Sequence, residues 1–530
     1  MRSLISAVVA AVLVSCLASA ADAKILTYCS EAAPEGFDPA PYISSATFDA
    51  SSQVFYNRLV EFEPGTTNVV PGLAESWDVS EDGLQYTFHL RQGVKFHSAG
   101  TFKPKRAFNA DDVVFSLQRQ RDKKNAYYNY AGGVWPLYEA TGLGGLIKTV
   151  AKVDATTVRI TLTKADSGVL SDLAMDFASI LSKEYADALL KAKTRELLNS
   201  EPVGTGPFQF ISYTGAGLFM VANHEYWAGI PKVSNLNFAF VPDAADRLAR
   251  LKAGSCQVMG GADAAAVQAA KADPKLDVAE AERADVAFIA FNTSQPPFGD
   301  PRVRKALGMA INRQAIVDAV YGGNASAANG LVPTTMWGYD GKIIGDIYNA
   351  DEAKRALAEA GISGLKVRLL TTRAPRPYSP DLARTAEMIA ADFAKVGVEA
   401  TVVTPALLGD YLRQSADKGR DGAVVIGWSS DNGDAGSFLS LLLSCEAVGM
   451  SNRAQWCDPA FTALIDQAKA ATNPEERARL TSEAQRIVSE QAPVTAIAHS
   501  LVSVPISKRV TDYKADPLGR HNFAGVDLTE

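Results

Sequence analysis

The chain has 530 residues, 47% of them hydrophobic and 21% charged, a composition that suits a folded globular protein and is too long for one small core. Its formal net charge of −7 and the absence of a basic run exclude nucleic-acid binding as a leading function, because nothing supplies phosphate neutralisation. Two or more domains are therefore expected, with a function still to be found.

The first residues differ from the rest. Arg2 precedes the apolar stretch Leu4–Val14, and small residues follow up to Ala23. That order predicts a secretory signal over residues 1–23, cleaved after Ala23; the apolar run is too short to span a bilayer, and no later one replaces it. "LVSC", ending at Cys16, resembles a lipoprotein cleavage box, but the A-x-A site at Ala23 lies at an ordinary distance from the apolar run and is preferred. Export makes disulfides the expected state of Cys29, Cys256, Cys445 and Cys457, and four cysteines allow three pairings. Cys445 and Cys457 could close a short loop and leave Cys29 to reach Cys256. Zinc binding is disfavoured, since there is no C-x-x-C and the five histidines are scattered.

In the first part of the mature chain, Gln85–Leu90 and Thr156–Thr163 alternate as strands, and "NADDVVFSLQRQ" starts at Asn109 like a capped helix. From about Asp351 the pattern changes. "DEAKRALAEAG" predicts a helix closed by Gly361, Leu365–Thr372 a strand, and Asp381–Gly397 an amphipathic helix. Val398–Thr404 predicts a strand, a short helix follows around Tyr411, and Gly422–Trp428 predicts another strand. The last clear helix begins at Pro474 after a capping Asn473. Alternating helix and strand at this spacing implies an α/β fold with a mainly parallel, doubly wound sheet.

Ligands of open parallel sheets sit beyond the carboxyl ends of the strands. One predicted strand ends into "TRAPRPYSP", with Arg373 and Arg376, and another into "SSDNGD", with Asp431 and Asp434. A basic end and an acidic end on one sheet edge suit a zwitterion. Enclosed charges lose several kcal/mol of solvation unless paired, and arginine's planar fork matches a carboxylate. The prolines around Arg376 would stiffen its loop and reduce the entropy lost on binding. "DNGD" is equally a good turn sequence, and "RAPRPYSP" equally a surface loop with solvated arginines. An EF-hand is excluded, because Gly433 stands where a side-chain oxygen is needed.

Enzymatic motifs are missing. "HEYWA" at His224 has Ala228 where a zinc protease has its second histidine, and neither a G-x-S-x-G elbow nor a phosphate loop is present.

Several stretches resemble a known family. "YCSEAAPEGFDP", "PGLAESWDVSEDGLQYTFHLRQGVKFH", "GTGPFQ", "RPYSP", "AEMIAADFAKVGV", "GWSSDNGD" and "DPLGRH" lie within a resemblance that runs from Lys24 to Glu530. The chain resembles the dipeptide branch of the family-5 solute-binding proteins of bacterial ABC transporters. The resemblance implies a two-lobe periplasmic binding protein of the type II, venus-flytrap kind, with an extra N-terminal subdomain. Lobe 1 would hold residues 24–283 and 501–530, with a subdomain inserted at about 56–203, and lobe 2 residues 284–500. It implies that Asp431 binds a peptide α-ammonium and Arg376 the α-carboxylate, with Tyr378 beside that arginine. Trp428 falls in the matched site segment, where a core role competes, and Asp434 is better suited to stabilising a turn. It also implies the disulfides Cys29–Cys256 and Cys445–Cys457.

Two departures, "PALLGDY" (Pro405–Tyr411) and Ser44-Ser45-Ala46-Thr47, leave the preferred side chains open. The expectation is a monomeric, cofactor-free importer component that delivers dipeptides to an ABC permease, with ATP hydrolysis in other subunits. The alternatives are longer or murein-derived peptides, haem or δ-aminolevulinate as ligand, presentation to a chemoreceptor, and, disfavoured for want of a catalytic set, a secreted peptidase.

Overall fold

The computed structural model describes residues 23–529. The signal expected over residues 1–23, Ala23 apart, and the alternative lipid attachment at Cys16 lie outside the described residues.

A twelve-stranded sheet runs through both lobes. At one edge Glu399–Val403, Lys366–Leu370 and Ala423–Ser429 lie side by side and parallel. The helices Ala350–Glu359, Leu382–Lys395 and Leu408–Ala416 alternate with them, as the sequence predicts. The expectation of a mainly parallel sheet fails beyond this edge. Ala423–Ser429 pairs antiparallel with Asp285–Phe291, which pairs antiparallel with Val494–Ser507. The reason is topological: one of these strands brings the chain into the second lobe and the other takes it out, so they must run in opposite directions.

Val494–Ser507 changes partners along its length. Its first part pairs with Asp285–Phe291, and Leu501–Ser507 pairs with Leu276–Glu282. At the change the Asp285 carboxylate accepts hydrogen bonds from the Ser500 backbone N–H (3.0 Å) and hydroxyl (2.5 Å), which ties the two crossings together. On one side of this point a core forms around Leu26, Tyr28, Phe55 and Phe238. On the other, the sheet is covered on both faces. Ala287, Ile289 and Phe291 face a core with Ile389 and Phe393, while Val286, Phe288 and Ala290 face one with Phe438 and Leu439. Burial on both faces is why these strands read as unbroken apolar runs.

A separate four-stranded antiparallel sheet, Ala74–Val79, Gln85–Leu90, Thr157–Leu162 and Ile147–Asp154, forms the N-terminal subdomain. Its helix Ala110–Arg121 starts with a capping box, in which Asn109 accepts from the Asp111 N–H and Asp112 from the Asn109 N–H. The fully buried pair Asp38–Arg119 ties this subdomain to the N-terminal segment. Among the described residues no helix is long and apolar enough to cross a membrane.

Both expected disulfides are present, with Cα–Cα distances of 5.8 Å for Cys29–Cys256 and 4.6 Å for Cys445–Cys457. They span 227 and 12 residues, so cross-linking restricts the unfolded chain unequally. Replacing both cysteines of a pair by serine is expected to cost roughly 5 kcal/mol for Cys29–Cys256 and roughly 3 kcal/mol for Cys445–Cys457. Chemical denaturation of the two double variants measures this, and equal losses would contradict the loop-length argument.

Candidate functional site

The strands Lys366–Leu370 and Ala423–Ser429 are parallel neighbours, with Leu370 opposite Val424. Their carboxyl ends therefore open on the same sheet edge, and the segments that carry Arg376 and Asp431 leave from it.

Beyond Ser429 the chain turns into the helix Ala435–Leu443, and most residues of "SSDNGD" are tied down there. The Ser430 N–H donates to the Ala284 carbonyl at 2.7 Å. Asn432 Nδ2 donates to Asp172 Oδ1 at 2.8 Å, across to the other half of the molecule. Gly433 has φ +63°, its carbonyl accepts from the Thr67 hydroxyl at 2.6 Å, and a Cβ there would stand 2.4 Å from the Thr67 side chain. Only glycine suits both that conformation and that approach. Asp434 is buried, caps the helix by accepting from the Ser437 N–H at 2.7 Å, and pairs with Arg477. It is a structural group.

Asp431 is left over. Among the described residues its carboxylate has no hydrogen bond and no ion pair, although it lies on the wall of two cavities between the halves. One also contains Trp428, Asp166 and Asp172. The other contains Arg58, Glu61, Asp176 and Arg520. Asp431 can be reached from the cleft, yet the surrounding protein desolvates it and raises its pKa, with the positive charge of Arg520 pulling the other way. Arg520 is itself committed: its Nε donates to Asp176 at 2.6 Å and its guanidinium lies 4.5 Å from the centre of the Phe48 ring. Burial opposes the Arg520 charge, but Asp176 more than compensates and raises its pKa.

On the neighbouring strand end, Arg376 and Ser379 hydrogen-bond through their backbones in both directions at 3.0 Å, which closes a tight turn. Tyr378 lies inside it, 4% exposed, against Gly427, where a Cβ would come within 2.3 Å of the ring. Its carbonyl accepts from the Tyr321 hydroxyl at 3.0 Å. The Arg376 guanidinium lies 5.8 Å from the Tyr378 ring centre, and its Nε is 3.4 Å from the Tyr378 hydroxyl. Half-buried, Arg376 has no carboxylate partner among the described residues. Tyr378 thus supports the arginine from below, and glycine at 427 makes room for it.

Trp428 combines the two roles weighed for it, packing at the edge of the core while lining the cavity beside Asp431. The structure brings Asp431 and Trp428 to one cavity wall and Arg376 and Tyr378 to the adjacent strand end, with no direct contact between the two pairs. Thr67, Asp172, Gly427 and Arg520 were not identified from sequence. "DPLGRH" marks the region of Arg520 and "GWSSDNGD" that of Gly427, but Thr67 and Asp172 have no local signal. Burial pushes His97 down to about 4 and His521 down to about 3, so neither is poised for proton transfer at neutral pH. Among the described residues no three His, Cys, Asp or Glu side chains are grouped to hold a metal ion.

Two α/β lobes joined by paired crossing strands, with unpartnered charges in the cleft, define a solute-binding protein. The chain belongs to the bacterial extracellular solute-binding proteins, family 5, whose middle-region model matches residues 68–450. It is 45% identical over 515 residues to the dipeptide-binding protein of Escherichia coli (strain K12), covering 97% of this chain and 96% of that one. It is 46% identical over 503 residues to heme-binding protein A of Haemophilus influenzae (strain ATCC 51907 / DSM 11121 / KW20 / Rd), covering 94% and 92%. The solved structure of HbpA2 from Haemophilus parasuis superposes with a TM-score of 0.91 at 41% identity, covering 96% of this chain and all (100%) of that one.

Asp172 gives a pH-dependent test. Burial pushes it up to about 8, the Asn432 hydrogen bond opposes this, and Asp166, Asp434 and Asp431 add to it. Its folded pKa lies above its unfolded value, so the folded state binds the extra proton and stability falls as pH rises from about 4 to about 8. Asp172→Asn removes that loss. Relative to the parent, the variant is expected to be unchanged near pH 4 and more stable at pH 8 by at least about 1 kcal/mol, since one pKa unit is worth about 1.4 kcal/mol. Thermal unfolding at the two pH values checks this; a gain independent of pH would contradict it.

Proposed function

We propose that the protein captures dipeptides, with Asp431 binding the α-ammonium and Arg376 the α-carboxylate. The observation that carries this reading is the pair of opposite, unpartnered charges at the ends of two adjacent parallel strands. A zwitterion of fixed length neutralises both, and each charge-assisted bond forms where water is largely displaced. Tyr378 holds the arginine, and Trp428 offers an apolar wall to a side chain.

The name of the Escherichia coli relative supports this ligand. The Haemophilus influenzae relative, named for haem, raises the alternative. The charges favour the peptide. Haem presents propionates and no ammonium, and the cavity beside Asp431 already contains Asp166 and Asp172.

The movement is a closure of lobe 1 (24–283 and 501–530, with the subdomain at about 56–203) on lobe 2 (284–500). The partner change of Val494–Ser507 and the Asp285–Ser500 bonds support a hinge at the two crossings. Ligand that touches both lobes favours the closed form by its differential affinity for it. The protein is read as a monomeric, non-enzymatic periplasmic component, released by cleavage near Ala23 rather than anchored at Cys16. It hands its peptide to an ABC permease, and presentation to a chemoreceptor is compatible with the same closed form.

Arg376→Ala and Asp431→Asn are each expected to weaken Ala-Ala binding by about 1–4 kcal/mol, roughly the consequence of leaving the ligand's opposite charge unpaired. Titration calorimetry on the purified variants reads this, and undiminished affinity in either would contradict the charge clamp.

A further inference from the structure

The two cavities that meet at Asp431 each have two more carboxylates than cations, Glu61, Asp176, Asp431 and Asp516 against Arg58 and Arg520 in one and three against Lys469 in the other, and they differ in how the charges are paired. In the one formed with Arg58 and Arg520, each guanidinium has a carboxylate partner, Glu61 and Asp176 respectively. The other has no ion pair among the described residues. Asp166, Asp172 and Asp431 line it against one ammonium, that of Lys469, which donates to the Ser440 hydroxyl at 2.8 Å.

Asp172 stands out within it. It is only 7% exposed, and no lysine, arginine or histidine forms an ion pair with it among the described residues. Its Oδ1 accepts from Asn432, Oδ2 has no hydrogen-bond partner among the described residues, and the side chain belongs to a residue that lines the cavity. A buried carboxylate without a counter-charge is costly, and proteins ordinarily supply one. Here burial pushes the group up to about 8. Two of the cavity's three carboxylates have no cation to match them. A metal ion does not fit the deficit, since no three carboxylates are grouped closely enough among the described residues. An extended cation does.

Trp428, Phe438, Leu441 and Leu146 supply apolar surface to a wall that also carries serine and threonine hydroxyls. Apolar surface and carboxylates in one cavity suit a methylene stem that ends in a charge. In a bound peptide the first side chain branches from the carbon that carries the α-ammonium, so it starts beside Asp431.

We infer that this cavity is a cation subsite for the first side chain, centred on Asp172, and that the protein favours dipeptides beginning with lysine, arginine or another amine- or guanidine-bearing residue. This inference rests on the reading of Asp431 as the α-ammonium ligand. Asp166 is the second carboxylate of the subsite, with Lys469 limiting how much positive charge it accepts. Asn432 holds Asp172 across the cleft, so the subsite is complete only when the two halves are in contact.

The test compares Lys-Ala with norleucyl-Ala, which keeps the aliphatic stem and lacks the amine, by titration calorimetry on the mature parent protein. Lys-Ala is expected to bind at least roughly tenfold more tightly, in line with a charge-assisted hydrogen bond. The ratio is expected to fall to within about threefold in Asp172→Asn, whose amide oxygen still accepts from Asn432. Equal binding of the two peptides by the parent would overturn the cation subsite while leaving the dipeptide reading intact. Binding of neither would overturn that reading and the subsite with it. A preference for Lys-Ala that survives in Asp172→Asn would overturn the assignment to Asp172. The parent comparison stands even if that variant fails to fold.

Discussion

A carboxylate that the surrounding protein desolvates favours a counter-charge, and Asp431, open to the cleft, has no ion pair of its own among the described residues. The surrounding architecture keeps it so. Asn432, Gly433 and Asp434 are each tied to a neighbour, to Asp172, Thr67 and Arg477 respectively, and the turn they form fixes where Asp431 stands. Desolvation raises the pKa of Asp431, and Arg520 is close enough to offset part of that rise but is held by Asp176. A charge that is positioned yet uncompensated suits the proposed ammonium, which would meet a group that has no partner to give up.

The same logic governs Arg376. Its tight turn, the Tyr378 ring below it and the bare backbone of Gly427 beneath the ring hold it in place without a salt bridge. Both ends of the proposed clamp rest on the adjacent strands Lys366–Leu370 and Ala423–Ser429, the first packed on the core through Val367 and Leu369 and the second buried from Ala423 to Gly427. The proposed hinge lies elsewhere, at the two crossings joined by Asp285 and Ser500. Rigid charges on one lobe and a hinge at its border allow closure to complete a site without distorting it.

Much of this was legible in the sequence because it is local. Asn109 and Asn473 announced helix starts that the structure has, with Asn473 accepting from the Glu475 and Glu476 N–H groups. The apolar runs marked the buried strands, and the charges just beyond them marked Arg376 and Asp431. "DNGD" left a turn and a site in competition, and it serves as a turn at three positions while freeing the fourth. What was illegible depends on distant partners. Asp172 meets Asn432 across 260 residues, and Thr67 meets Gly433 across 366, with no periodicity or spacing to signal either. The antiparallel half of the sheet was missed for a related reason: helix–strand alternation describes how successive elements connect and says nothing about a strand that returns from another lobe.

The central claim is that two opposite charges at a fixed separation recognise the two ends of one short peptide. Calorimetry on the mature protein with Ala-Ala, N-acetyl-Ala-Ala, Ala-Ala-amide and Ala-Ala-Ala tests it most directly. The account predicts strong binding of free Ala-Ala alone, with each blocked end and the added residue weakening it. Equal binding of a blocked peptide or of the tripeptide would contradict it, and Asp431 would then be a solvated residue of a strand-to-helix turn.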